Sequence, residues 1–196
     1  MADLVATEYD DPQHFDASYD GNCPVDTPLS GGWPAVVGCR WSDAAFYRYT
    51  DAARSAAWGG ATIHTVAWSN ASMAYTDITG SLTVSADAYV TVGTYVHKIG
   101  STTGETDGYV ASHPDGTVSG TCVNRLARSN SADPYVLLLC QDATSLTINS
   151  GDSGAPVYRK YSTYVDWVGI LWGDDSSYTY HSPAWAVRTD LPNFSY

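Results

Sequence analysis

Short runs of β-branched and aromatic residues, each cut off by Gly, Asn or Asp, recur along this 196-residue chain and restrict it to an all-β fold. From Ala44 onward they fall at 45–49, 61–68, 81–84 and 88–92, then at 95–99, 107–110, 117–119, 135–139 and 165–172. None carries the 3.6-residue periodicity of an amphipathic helix. Many short strands at close spacing predict a barrel or sandwich. The lobe boundary is expected near Val84 to Val92, giving one domain over 1–87 and a second over 88–196. A chain of this size buries roughly 70% of the surface it exposes when unfolded, so a core is within reach of one large lobe or two small ones.

Residues 1–42 read differently. Asp10-Asp11-Pro12, Tyr19-Asp20-Gly21-Asn22, Pro24, Pro28, Ser30-Gly31-Gly32 and Pro34 are turn chemistry, and they predict a long loop. Its carboxylates Asp16, Asp20 and Asp26 match no EF-hand spacing, so the loop is expected to be solvated, with no metal and no cofactor. Four cysteines form two sequence-local pairs, Cys23 with Cys39 and Cys122 with Cys140. No C-x-x-C spacing occurs, which excludes the common zinc and thioredoxin-like patterns. Paired in that order, each bridge closes a loop worth about 3 kcal/mol, and the pairing implies an oxidising compartment. No signal peptide is visible after Met1, and no apolar run is long enough to span a bilayer. The charge balance, 21 acids against 9 bases for a net −12, argues against nucleic acid or an anionic membrane as partner.

The stretch from Asn149 to Val157 carries the chemistry: Asn-Ser-Gly-Asp-Ser-Gly-Ala-Pro-Val. A serine between Gly-Asp and Gly, followed by a small residue and a proline, resembles the nucleophile segment of trypsin- and chymotrypsin-like serine proteases. Other segments extend the likeness. Residues 98–108 resemble the Gly-x-Thr-Thr-Gly hairpin of secreted bacterial members, Thr121-Cys122 and Leu139-Cys140-Gln141-Asp142 their disulfide-flanked segments, and Gly169-Ile170-Leu171-Trp172-Gly173 the strand beside the substrate. Cys39-Arg40-Trp41-Ser42-Asp43-Ala44-Ala45-Phe46 is similar to the segment that holds the triad aspartate.

The resemblance implies a secreted serine endopeptidase with a double β-barrel, acting on a polypeptide substrate by acyl transfer through Ser153. Asp43 would orient the base, and the amides of Gly151 and Ser153 would form the oxyanion hole. The expected specificity pocket consists of Thr147 at its floor with Leu171, Trp172 and Gly173 beside it, neutral and open to an apolar residue. Leu171 stands where many relatives place a serine that supports the aspartate. In this family the histidine precedes the aspartate within a Thr-Ala-x-His-Cys-like motif, and no such motif is present. His14, in Pro12-Gln13-His14-Phe15-Asp16, is the only histidine before Asp43, and it reads as a loop residue. His64, His97, His113 and His181 follow Asp43 and are expected in structural or surface roles. The expectation is therefore an N-terminal barrel lacking its first strands and its histidine, with exposed sheet edges open to association. Loss of the base costs on the order of 10⁶ in kcat and leaves the chain close to inactive.

A second class also fits: a non-catalytic pseudo-protease, or an aromatic-rich glycan- or protein-binding module. Tyr161, Tyr164, Trp167, Trp172, Tyr178, Tyr180 and Trp185 would serve it, although packed barrel aromatics explain them equally well. Asn70-Ala71-Ser72 and Asn193-Phe194-Ser195 fit a glycosylation sequon.

Overall fold

The computed structural model describes residues 6–10, 23, 36–44, 46–49, 62–69, 74–112, 122–127 and 135–192. The histidines His14 and His113, the acidic residues Asp16, Asp20 and Asp26, both sequons and the strand expected at 117–119 lie outside them.

The described chain is all-β apart from one short helix. The strands are β1 (Ala6–Asp10), β2 (Val36–Arg40), β3 (Phe46–Tyr49), β4 (Thr62–Ser69), β5 (Ala74–Asp87), β6 (Tyr95–Gly100), β7 (Gly104–Tyr109), β8 (Cys122–Ala127), β9 (Tyr135–Thr144), β10 (Pro156–Lys160), β11 (Tyr164–Asp174) and β12 (Thr179–Pro183). The helix α1 covers Ala184–Asp190. β1 pairs with β3 alone, and the remaining strands form one sheet whose spine runs β2-β9-β12-β11-β10-β6-β7.

Two long strands change partner along their length, which folds the sheet round on itself. β11 runs parallel to β5 through residues 164–167 and antiparallel to β12 through 169–174, while β10 occupies its other edge. β9 likewise runs parallel to β2 and then antiparallel to β12, with β8 on its far side. The β5–β11 ladder joins residues on either side of position 87.

Several elements differ from expectation for local reasons. β1 and β2 are strands inside the segment expected to be loop; β2 pairs with β9, and Cys23–Cys39 anchors it. β5 extends over 14 residues, through Asp77 and Gly80 that read as breaks, because register shifts in the β4–β5 ladder absorb the irregularity. Residues 88–92 alternate like a strand, with Ala88 and Val90 packed on the core and Tyr89 79% exposed, but they lead into a turn at 92–93 instead of a ladder. α1 is only two turns long, too short for periodicity to register in the sequence. It buries Ala184, Ala186 and Val187, packs on Trp167, and is tied to the end of β5 by the Arg188–Asp87 ion pair. Both expected disulfides are present, Cys23–Cys39 and Cys122–Cys140.

The core cluster that backs the Ser153 loop consists of Val96, Val110, Leu146, Ala155, Val157, Val168 and Leu171, drawn from β6, β10, β11 and the intervening loops.

Candidate active site

Ser153 lies on the loop between β9 and β10. Gly151 and Gly154 on either side take φ of +100° and +86°, conformations that L side chains rarely adopt. These two residues allow the chain to turn sharply enough to leave Ser153 exposed.

Asp152, between them, points inward and is 1% exposed. Five donors converge on its carboxylate. The amides of Thr102 and Thr103 donate to Oδ1 at 2.8 and 3.1 Å. The Thr103 hydroxyl, the Lys98 ammonium and the Asn149 amide donate to Oδ2 at 2.6, 3.1 and 3.1 Å. Burial alone would push this carboxyl up; the hydrogen bonds outweigh it and hold the pKa at about 2. Burial lowers the pKa of Lys98, and its contact with Asp152 acts in the opposite direction.

The β6–β7 turn grips the same loop from outside. Ser101 Oγ donates to the Gly151 carbonyl at 2.8 Å and Thr102 Oγ1 to the Ser150 carbonyl at 3.0 Å. Each residue of Ser101-Thr102-Thr103 thus bonds the Ser153 loop, which gives the Gly-x-Thr-Thr-Gly stretch a mechanical role.

The backbone amides of the loop divide into two sets. Asp152 donates to the Asn149 carbonyl, Gly154 to Leu171 and Ala155 to Asp152. Among the described residues, no backbone carbonyl accepts from Gly151 or Ser153. Ser153 Oγ itself donates to the Trp172 carbonyl at 3.3 Å.

Asp43 follows β2, with its side chain 49% exposed and Arg40 Nη2 3.4 Å away. Its amide donates to Ser182 Oγ at 2.9 Å. The preceding Ser42 is held through amide and hydroxyl, at 2.6 and 2.9 Å, by Asp190 at the end of α1. Burial raises the Asp190 pKa, with the Ser42 bonds acting against it. A fully buried glutamine joins this corner to the strand beside Ser153. Gln141 donates to the carbonyls of Trp41 and Leu139 and accepts from Trp172 Nε1 and Ser182 Oγ, both at 2.8 Å. A serine therefore does reach the Asp43 segment, from β12 and not from the position held by Leu171. Neither Gln141 nor Ser182 was singled out in the sequence as a site residue, because their pairing across β9 and β12 has no local signature.

The expected pocket residues are distributed unevenly. Leu171 is fully buried in the core, so it offers only backbone, through its bonds to Gly154 and Ala155. Trp172 is half-buried and stacks on Tyr180 at 5.8 Å; Thr147 is exposed; and a side chain at Gly173 would meet open space.

Two of the three described histidines lie against carboxylates. His181 is fully buried on β12 with Nε2 3.4 Å from Asp142, and His97 stacks on Tyr158 with Nδ1 3.5 Å from Glu105. His64 lines a cleft of about 330 Å³ that also includes Ser101 and Pro156.

No known protein family matches the sequence, and no curated protein does. Among solved structures, the chain is similar to that of Cellulomonas bogoriensis chymotrypsin, at 18% identity and a TM-score of 0.49, covering 76% of this chain and 66% of the other. It is also similar to Thermobifida fusca protease A, at 18% identity and a TM-score of 0.48, covering 80% and 70% respectively.

Proposed function

We infer that this chain is a secreted serine endopeptidase of double-barrel architecture, divided at residues 87 and 88, which cleaves polypeptides by acyl transfer through Ser153. The observation that carries this reading is the division of amides in the Ser153 loop. Those of Asp152, Gly154 and Ala155 are used within the protein, and those of Gly151 and Ser153 remain available beside an exposed serine. An oxyanion hole needs such unused donors, each worth about 10²–10³ in rate.

In the reaction, Ser153 Oγ attacks the scissile carbonyl carbon and its proton passes to a base. The oxygen that gains the negative charge accepts from the Gly151 and Ser153 amides. Collapse breaks the C–N bond, the leaving amine takes the proton from the base, and water then hydrolyses the acyl ester. Asp43 is the candidate to orient the base, and the Arg40–Asp43 corner would open to receive an imidazole. His97 and His181 lie against Glu105 and Asp142 rather than Ser153. A chain lacking a base retains only the ~10³–10⁴ over water that the hole and binding provide.

The test is a fluorophosphonate probe, which bonds phosphorus to an activated serine oxygen and expels fluoride. Stoichiometric labelling of Ser153 that is lost in Ser153→Ala supports the enzyme. No labelling of a chain whose urea midpoint shows it folded assigns it instead to the non-catalytic class.

A further inference from the structure

At the far end of β10 from Ser153, on the order of 15 Å along the strand, lies a second cleft of about 520 Å³. Arg159, Lys160 and Tyr161 form one side of it; Tyr95 and His97 form the other; Thr94 closes the rim. We propose that this cleft binds an acidic sugar unit, a hexuronate within a polysaccharide, with its carboxylate on the Arg159 guanidinium.

The charge distribution is the first argument. Of the six described basic side chains, five lie within 4.0 Å of a carboxylate: Arg40, Lys98, Arg125, Lys160 and Arg188. Arg159 is the sixth, and among the described residues it has no ion pair. On a chain with 21 acids and 9 bases, the expected outcome is that every guanidinium is neutralised by a neighbour. The nearby carboxylates have other partners: Asp166, across the ladder from Arg159, bonds the Tyr161 hydroxyl, Glu105 bonds Lys160 and the Tyr158 hydroxyl, and Asp107 bonds the Tyr95 hydroxyl. Arg159 Cζ lies over the Tyr161 ring, 5.6 Å from its centroid, and Tyr161 stacks on Tyr164 at 4.5 Å. A guanidinium held against an aromatic ring without a carboxylate partner has N–H donors for a planar oxyanion.

The second argument is the aromatic surface. Tyr95 and His97, which line the cleft, have ring centroids 5.1 Å apart and are backed by Tyr109 at 4.9 Å from Tyr95 and by the fully buried Tyr158 at 5.7 Å from His97. Tyr95 is 44% exposed and the adjoining Tyr89 is 79% exposed. Exposed tyrosines at a cleft offer an apolar face with a polar tip, the surface that suits the C–H face and hydroxyls of a pyranose. The hydroxyls of Thr91 and Thr94, 3.4 Å apart on the rim, add donors and acceptors for the ring hydroxyls.

The experiment is calorimetric titration of the full chain with tetragalacturonate, neutral galactotetraose and a tetra-aspartate peptide. Tetragalacturonate is expected to bind with Kd of about 1 mM or tighter, and the neutral sugar at least about tenfold more weakly. Arg159→Gln is expected to weaken tetragalacturonate about 10- to 100-fold, the usual effect of losing a charged hydrogen bond. Arg159→Lys, which keeps the charge and loses the fork, should fall between. Lys160→Gln should change binding less than about threefold, because that ammonium already serves Glu105. No heat from tetragalacturonate, equal binding of galactotetraose, or undiminished binding by Arg159→Gln overturns the proposal. Tighter binding of the peptide overturns it in favour of an acidic polypeptide. Fluorophosphonate labelling of Ser153 is expected to be unchanged in Arg159→Gln, so this outcome and that of the Ser153 reading are read separately.

Discussion

The Lys98 ammonium lies 3.1 Å from Asp152 Oδ2 with both side chains fully buried, one residue before the exposed Ser153. An internal lysine on β6 is thus the counter-ion of this buried carboxylate. Removal of either charge alone leaves the other buried without its counter-ion, which costs about 3–5 kcal/mol. Lys98→Met is therefore expected to lower unfolding stability by that amount. Lys98→Met combined with Asp152→Asn should recover a large part of it. Urea denaturation of the two variants checks the difference.

The same carboxylate sets an acid limit. Its pKa is about 2 in the fold and about 4 in the unfolded chain, so the unfolded state binds the extra proton as pH falls. The stabilisation is fully present above about pH 4 and disappears as pH falls toward 2, a loss of about 2 kcal/mol. Urea midpoints at pH 5 and pH 2.5 should show it in the wild type, and the loss should shrink in Asp152→Asn.

Gly151 and Gly154 separate backbone strain from steric exclusion. A Cβ at Gly154 would meet nothing within 4 Å, so Gly154→Ala bears only the cost of its φ of +86°, about 1–2 kcal/mol. At Gly151 the φ is +100° and the Cβ would stand 2.5 Å from Thr102 Oγ1, so Gly151→Ala should be the more destabilising. Adding Thr102→Ala to Gly151→Ala removes the clash and leaves the strain, and the double variant should unfold at higher urea than Gly151→Ala. A reversed order would show that the loop relaxes freely.

The sequence made the β class, both disulfides and the turn around Ser153 legible because each is local: alternation, spacing and glycine placement are written in consecutive residues. What it hid is long-range. Nothing near Lys98 marks it as the partner of Asp152, 54 positions away, because a lysine in a strand ordinarily faces water. Ser182 and Gln141 meet Asp43 and Trp41 only once β2, β9 and β12 lie side by side. Residues 88–92 misled because alternating burial arises wherever a chain runs along a core, with or without a hydrogen-bonded neighbour.

Gln141 supplies the last prediction, because it links the Asp43 segment to the strand beside Ser153. Gln141→Met removes the acceptor of Trp172 Nε1 and Ser182 Oγ and the donors to the Trp41 and Leu139 carbonyls. At ~1–3 kcal/mol for each buried group left unsatisfied, the variant is expected to lose at least about 2 kcal/mol. Gln141→Glu keeps the acceptor for Trp172 and Ser182 but turns a carboxylate toward two carbonyls. A carboxyl there binds its proton more tightly in the fold than in the unfolded chain, so its stability should fall as pH rises above about 4. Urea midpoints at pH 5 and pH 8 should therefore diverge in Gln141→Glu and not in Gln141→Met. If the link also holds Asp43 in place for the base, both variants will slow fluorophosphonate labelling of Ser153 at pH 8 under conditions where each is fully folded.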